Sequence, residues 1–214
     1  YIEKVKRDFY LVISLETKQP ILSRYQIGSQ LFSDAAITHH SAFEAFGYAN
    51  QVFYEVYVAT DSRFRDFEYN GILYHRMERN AYTDMVTNGK LRVTGIEQTI
   101  VDSIKDFTKI AGLEEVIRCI MLVPSVKEEK ILEALSVYDN KFLYQKCGYI
   151  LEQLQDELGL SNDFFEYLSR YTAEGKRYLI KENGQNVWNL KWKIYVPADF
   201  MHLVDKGVSD YDAI

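Results

Sequence analysis

Apolar residues along this chain follow two periods, and the change between them divides the sequence into a strand-rich first part and a helical second part. Period-two alternation begins at once. Tyr1, Glu3 and Val5 fall on one face and Ile2, Lys4 and Lys6 on the other; after Asp8 the β-prone run Phe9 to Ile13 predicts the second arm of a hairpin. Glu16 to Pro20 is turn chemistry, Ser23 to Leu31 a helix, and Ala35 to Thr38 a short strand. Ser41-x-x-Glu44 reads as a capping box opening a short helix that Gly47 closes. Val52 to Thr60 and Phe64 to Met77 read as strands, the second broken by the hairpin signal Asn70-Gly71. Arg79 to Gly89 is polar and reads as a loop, and Lys90 to Val93 is a short strand.

From Thr94 onward the spacing becomes that of helices. Thr94-x-x-Glu97 caps a helix with Ile96, Ile100, Val101 and Ile104 on one face, and Gly112 to Leu122 continues the pattern. Ser125 to Tyr138, opened by Ser125-x-x-Glu128, then Lys141 to Leu158 and Ser161 to Tyr171 follow, with Gly159 and Ser161 separating the last two. Lys176 to Lys181 and Asn186 to Val196 flank Glu182-Asn183-Gly184-Gln185 and predict a closing hairpin, in which Trp188, Leu190, Trp192 and Ile194 alternate with polar residues. The order predicts an α+β fold, with a mixed or antiparallel sheet, a helical lobe and a closing β-hairpin. The expected organisation is a leading hairpin over 1–15 and a main domain over 16–200. Within that domain the sheet part spans 16–93, the helical part 94–171 and the hairpin 176–196, with an acidic tail over 198–214.

A formal net charge of −6 argues against a surface built as a whole to bind phosphates. It leaves room for a local basic patch, and Lys4, Lys6 and Arg7 on the leading hairpin are the candidate nucleic-acid contacts. Seventeen Tyr and twelve Phe are core and cross-strand material first. An aromatic surface that docks a protein is the alternative use for some of them. Cys119 and Cys147 lie far apart in helical patterns, which suits buried thiols in a reducing cytoplasm. No apolar run approaches the roughly 20 residues of a membrane span.

Catalytic chemistry is hard to place. The histidines are His39, His40, His75 and His202; His39-His40 at a strand-to-helix junction would point to opposite faces, and no His/Cys/Asp spacing suits zinc. His39, His40, Cys119 and Cys147 are therefore expected to bind no metal, and no cofactor is expected. There is no G-x-S-x-G and no glycine-rich phosphate loop. Glu55, Asp66 and Glu68 on strands, together with Lys90, are the set from which a metal-dependent nuclease would be built.

The stretches Ile37 to Thr60 and Thr94 to Ile120 together resemble the AbiE-type antitoxins, predicted transcriptional regulators of bacterial phage-defence operons. The resemblance rests on Ser41-Ala42 in a short helix, Gly47 after it, and a strand ending in Val56-Tyr57-Val58. Ile2 to Tyr10 also reads like the stretch that follows the recognition helix of that family's winged helix-turn-helix, which would place the winged domain's helices upstream of Tyr1 and make residues 1–15 its remnant. The resemblance implies a non-enzymatic, cytoplasmic antitoxin and autoregulator of a type IV toxin-antitoxin operon. Its expected partners are operator DNA, through the winged domain, and a nucleotidyltransferase toxin counteracted without a stable complex.

Overall fold

Segregated sheet and helices meet along one short helix. The computed structural model describes residues 1–79, 84–181, 185–200 and 202. Its first elements are β1 (Ile2–Lys6), β2 (Phe9–Val12), α1 (Arg24–Ser29), β3 (Ala36–Ile37), α2 (His39–Phe46), β4 (Glu55–Thr60), β5 (Phe67–Tyr69), β6 (Ile72–Glu78), β7 (Met85–Asn88) and β8 (Leu91–Thr94). The helices α3 (Ile96–Asp106), α4 (Gly112–Met121), α5 (Glu128–Tyr138), α6 (Lys141–Glu152), α7 (Gln155–Leu158) and α8 (Asn162–Ser169) follow, then β9 (Asn186–Asn189) and β10 (Ile194–Pro197). The fold class is the α+β architecture expected.

Six strands form a mixed sheet in the order β5-β6-β4-β3-β8-β7. The pairs β4/β6 and β3/β8 are parallel, and the others are antiparallel. Asn70-Gly71 makes the β5–β6 turn with both residues at positive φ (50° and 73°), the conformation this dipeptide favours. On one face Val56, Val58, Ile37 and Tyr74 pack against α1 and the leading hairpin. The close approach of α1 requires Gly28, where a Cβ would fall 2.8 Å from Ile37 Cδ1 and 3.0 Å from Val56 Cγ1. Opposite, Tyr57, Ala59 and Met77 meet Ile110. A larger core fills the helical lobe and is closed by the β9–β10 hairpin through Trp192, Ile194 and Val196. Helix α2 joins the two large cores, sending Ala42 into the sheet core and Phe43 into the helical one.

Several expectations are corrected. Helix α2 starts at His39, two residues before Ser41, so Ser41 is an interior residue and not its N-cap. Thr94 hydrogen-bonds Thr99 (2.7 Å) while Gly95 takes the N-cap of α3, and Glu97 instead accepts from the Lys127 N–H (2.9 Å). Lys127, not Ser125, is the N-cap of α5, and Glu128 reaches across to the Ser161 N–H at the start of α8. In each case a tertiary partner displaces the local box. The loop expected over Arg79 to Gly89 contains strand β7, while residues 80–83 lie outside the described residues. The run Lys141 to Leu158 breaks into α6 and α7.

The closing hairpin turns at 190–193, where Asn189 Oδ1 accepts the Trp192 N–H (2.9 Å) and Lys193 takes a positive φ. Residues 177–179 lie parallel to β10, with a Leu179 N–H to Tyr195 carbonyl bond of 2.8 Å. Of the turn expected at 182–185, residues 182–184 lie outside the described residues, as does most of the expected tail, residue 201 and residues 203–214. Phe200 is buried against Tyr149.

Candidate functional site

Helix α2 has hardly any solvent face, and that sets its chemistry. His39, His40, Ser41, Ala42 and Phe43 are all buried, so every polar group among them must find a partner inside the protein. His39 has a left-handed φ of 53°, a strained start that lets two successive histidines serve different neighbours. Both lie in the helix, not on a strand. His39 Nε2 sits 3.5 Å from Asp106 Oδ2, in ion-pair range, although neither ring nitrogen has a well-aligned hydrogen bond. Asp106 is also held by Lys105 and by Lys109 at 2.7 Å. Burial alone would raise its pKa, but His39, Lys105 and Lys109 together hold it well below the usual carboxylate range. Asp102 on the same helix is fully enclosed; burial pushes its pKa up, although Tyr138 and Gln98 (2.8 Å) both donate to it.

On the other side, His40 is clamped between two carboxylates. Its Nδ1 is 2.8 Å from Glu44 Oε1 and its Nε2 3.0 Å from Glu115 Oε1, and the ring stacks on Phe53 at 4.0 Å. Burial alone would lower the His40 pKa, but the hydrogen bonds and charges of Glu115 and Glu44 outweigh it and raise it. Glu44 in turn accepts from the Phe53 N–H (3.1 Å), from Tyr25 and from Arg24. Cys119, one turn beyond Glu115 on α4, donates from Sγ to Glu115 Oε1 at 3.6 Å. Burial and the adjacent Glu115 push this thiol upward.

An open cleft of about 570 Å³ is lined by Phe53, Tyr54, Glu55, Tyr57, Leu73, Ile110 and Ala111. Register places Tyr57 beside His75, and their rings stack at 5.2 Å. Asp66 Oδ2 accepts from His75 Nδ1 (2.7 Å), leaving Nε2 3.7 Å from Glu55, while the Tyr57 hydroxyl donates to Glu55 (2.5 Å). An Asp-His pair beside a carboxylate can hold and orient a proton or receive a basic group. Of the acidic set read from the sequence, Glu55 and Asp66 converge on His75. Glu68 lies on the edge strand β5, and Lys90 sits in the β7–β8 turn at the opposite edge, where its carbonyl accepts from Ser29 (2.9 Å). The structure therefore does not assemble the four.

The basic trio is also divided. A register shift between Lys4 and Lys6 turns Lys6 off the Lys4 face, opposite Phe9, and its Nζ lies over the rings of Phe32 (4.4 Å), Phe64 (4.9 Å) and Phe67 (5.4 Å). Burial lowers its pKa. Lys4 and Arg7 stay exposed, and Arg7 pairs with Asp8 at 3.5 Å. The leading hairpin itself packs Leu11 and Ile13 into the sheet core of this chain.

No family model and no curated protein matches the chain. Among solved structures it is similar in fold to Rv2827c of Mycobacterium tuberculosis, with a TM-score of 0.57 and 13% identity over 83% of this chain. The chain spans 66% of that protein's length. No helix among the described residues is long and apolar enough to cross a membrane.

Proposed function

We propose that the chain is the antitoxic and regulatory domain of an AbiE-type antitoxin, acting against a nucleotidyltransferase toxin and serving no catalytic role itself. The observation that carries this reading is the convergence of the residues on which the family resemblance rests. Ser41 Oγ accepts the Tyr57 N–H at 3.0 Å, Val56 and Val58 are wholly buried on either side, and Gly47 ends α2 in the left-handed conformation at φ 81°. These residues, all within positions 41–58, thus form one junction between helix and sheet. Such a junction defines a structural signature of a domain, which is what a family without catalytic motifs would keep.

The division of the basic trio bears on the regulatory half. Lys6 is engaged by aromatic rings, so Lys4 and Arg7 alone offer too little charge for tight phosphate binding, and operator recognition is assigned to the winged helix-turn-helix that the family resemblance implies. The test is an electrophoretic shift of the gene's own promoter at low and moderate salt. Protein carrying the winged segment should shift it in a salt-dependent way, and residues 1–214 alone should not. A coding sequence with no such segment, or a longer protein that leaves the promoter unshifted at low ionic strength, would overturn the regulatory assignment.

A further inference from the structure

We propose that His40, Glu115 and Cys119 form a buried binding site for one zinc-like divalent cation, with Glu44 as the outer partner of the histidine. Three unlike donors, an imidazole Nε2, a carboxylate oxygen and a thiol sulfur, lie within 4.8 Å of one another, and all three residues are buried. One spacing matches a metal's coordination shell, Sγ to Glu115 Oε1 at 3.6 Å; Nε2 to the same Oε1, a hydrogen bond of 3.0 Å, would open by a few tenths of an ångström to admit the cation. Ligand atoms on a tetrahedral zinc with ordinary Zn–N, Zn–O and Zn–S bonds stand roughly 3.3–3.6 Å apart. The set mixes nitrogen, oxygen and sulfur, which favours zinc over the oxygen-seeking magnesium or calcium.

The surroundings are those that metal-bound histidines have. The far nitrogen, Nδ1, is 2.8 Å from Glu44 Oε1, which fixes the ring and leaves Nε2 to face the other donors. Glu44 is itself oriented by the Phe53 N–H, Tyr25 and Arg24. Glu115 and Cys119 stand one turn apart on α4, so a single helix presents both to α2.

Coordination needs the imidazole Nε2 and the thiol deprotonated, so loading a dication releases their protons to solvent. Arg24, paired with Glu44, sets a fixed positive charge against the outer carboxylate. Three protein ligands leave the fourth tetrahedral position to a water. His39, whose partner is Asp106, and Cys147, which lies apart from this set, play no part.

The test is metal titration of the folded 214-residue chain, purified with chelator and then dialysed free of it. Zinc should bind at one equivalent, and cobalt should give the near-ultraviolet thiolate-to-cobalt charge-transfer band. Cys119→Ser is nearly isosteric and should fold, but it should abolish the band, while Cys147→Ser should keep it. Glu44→Gln should weaken zinc binding by about 10–100-fold, as loss of an outer partner does. Folded protein that takes up no stoichiometric zinc, a cobalt band that survives Cys119→Ser, or one lost in Cys147→Ser would each overturn the site.

Discussion

Gly148 sits in the middle of α6 against the indole of Trp192, and Gly148→Ala turns that contact into a measurable quantity. In an exposed helix the change would stabilise by about 1 kcal/mol through propensity. Here the new Cβ would lie 2.5 Å from Trp192 Cε3 and still deeper inside the contact distance of two neighbouring ring carbons. The ring cannot yield cheaply. Trp192 is wholly buried, its Nε1–H donates to Glu152 at 2.6 Å, and its carbonyl accepts from Gln145 at 2.8 Å. Overpacking a tight core costs about 1–3 kcal/mol, and losing a hydrogen bond to a charged group costs about 1.5–3 kcal/mol. Set against the propensity gain, the net loss should be about 1.5–5 kcal/mol. Urea unfolding followed by circular dichroism and tryptophan fluorescence gives the number. In a Trp192→Phe background, where the benzo carbons are gone, the same substitution should cost markedly less, because the two sites are coupled only through that ring. An unchanged or higher midpoint for Gly148→Ala alone, or equal costs in both backgrounds, would refute the packing.

Other expectations concern the leading hairpin, the acid limb and the helix-sheet junction. Lys6→Gln should destabilise by about 1 kcal/mol through lost contact with its ring cage, whereas Lys4→Gln and Arg7→Gln should stay within about 0.5 kcal/mol, all read from urea midpoints. Asp106, held below the usual carboxylate range in the folded state, contributes stability that is present above the unfolded carboxylate pKa and is lost as pH falls through the folded value. Asp106→Asn should therefore cost about 2 kcal/mol near neutral pH, and the difference from the parent should shrink in thermal melts taken at progressively lower pH; a constant difference would contradict it. Ser41→Ala removes the acceptor of the Tyr57 N–H and should cost about 1–3 kcal/mol in the same unfolding assay.

How far the sequence revealed this molecule depends on the range of the forces involved. Turn chemistry was legible because it is local: Asn70-Gly71 and Gly47 adopt the backbone their residue types favour. Boxes at Ser41, Thr94 and Ser125 misled because each terminus was decided by distant partners, with Glu97 spent on Lys127 and Glu128 on Ser161. The hairpin register at 186–197 escaped a reading that weighted the dipeptide at 183–184 over the side-chain turn made by Asn189. Spacing along the chain could not bring Cys119 and Glu115 to His40, since 75 residues separate Glu115 from that histidine. A signal was nevertheless present: Glu115-x-x-x-Cys119 places two donors on one face of a helix, and a buried histidine pair demands partners. Lys6 was misplaced for a smaller reason, since one bulge reverses the face of every later side chain in a strand.

The central claim is that the chain's role is antitoxic, and growth measures it most directly. Residues 1–214 should be co-expressed with any nucleotidyltransferase that the neighbouring gene encodes, that protein induced to a level that arrests growth, and soluble, folded chain verified in the same cells. Restored growth, without co-purification of the two proteins, is the result expected. Continued arrest in the presence of folded chain, or an operon that encodes no nucleotidyltransferase, would contradict it.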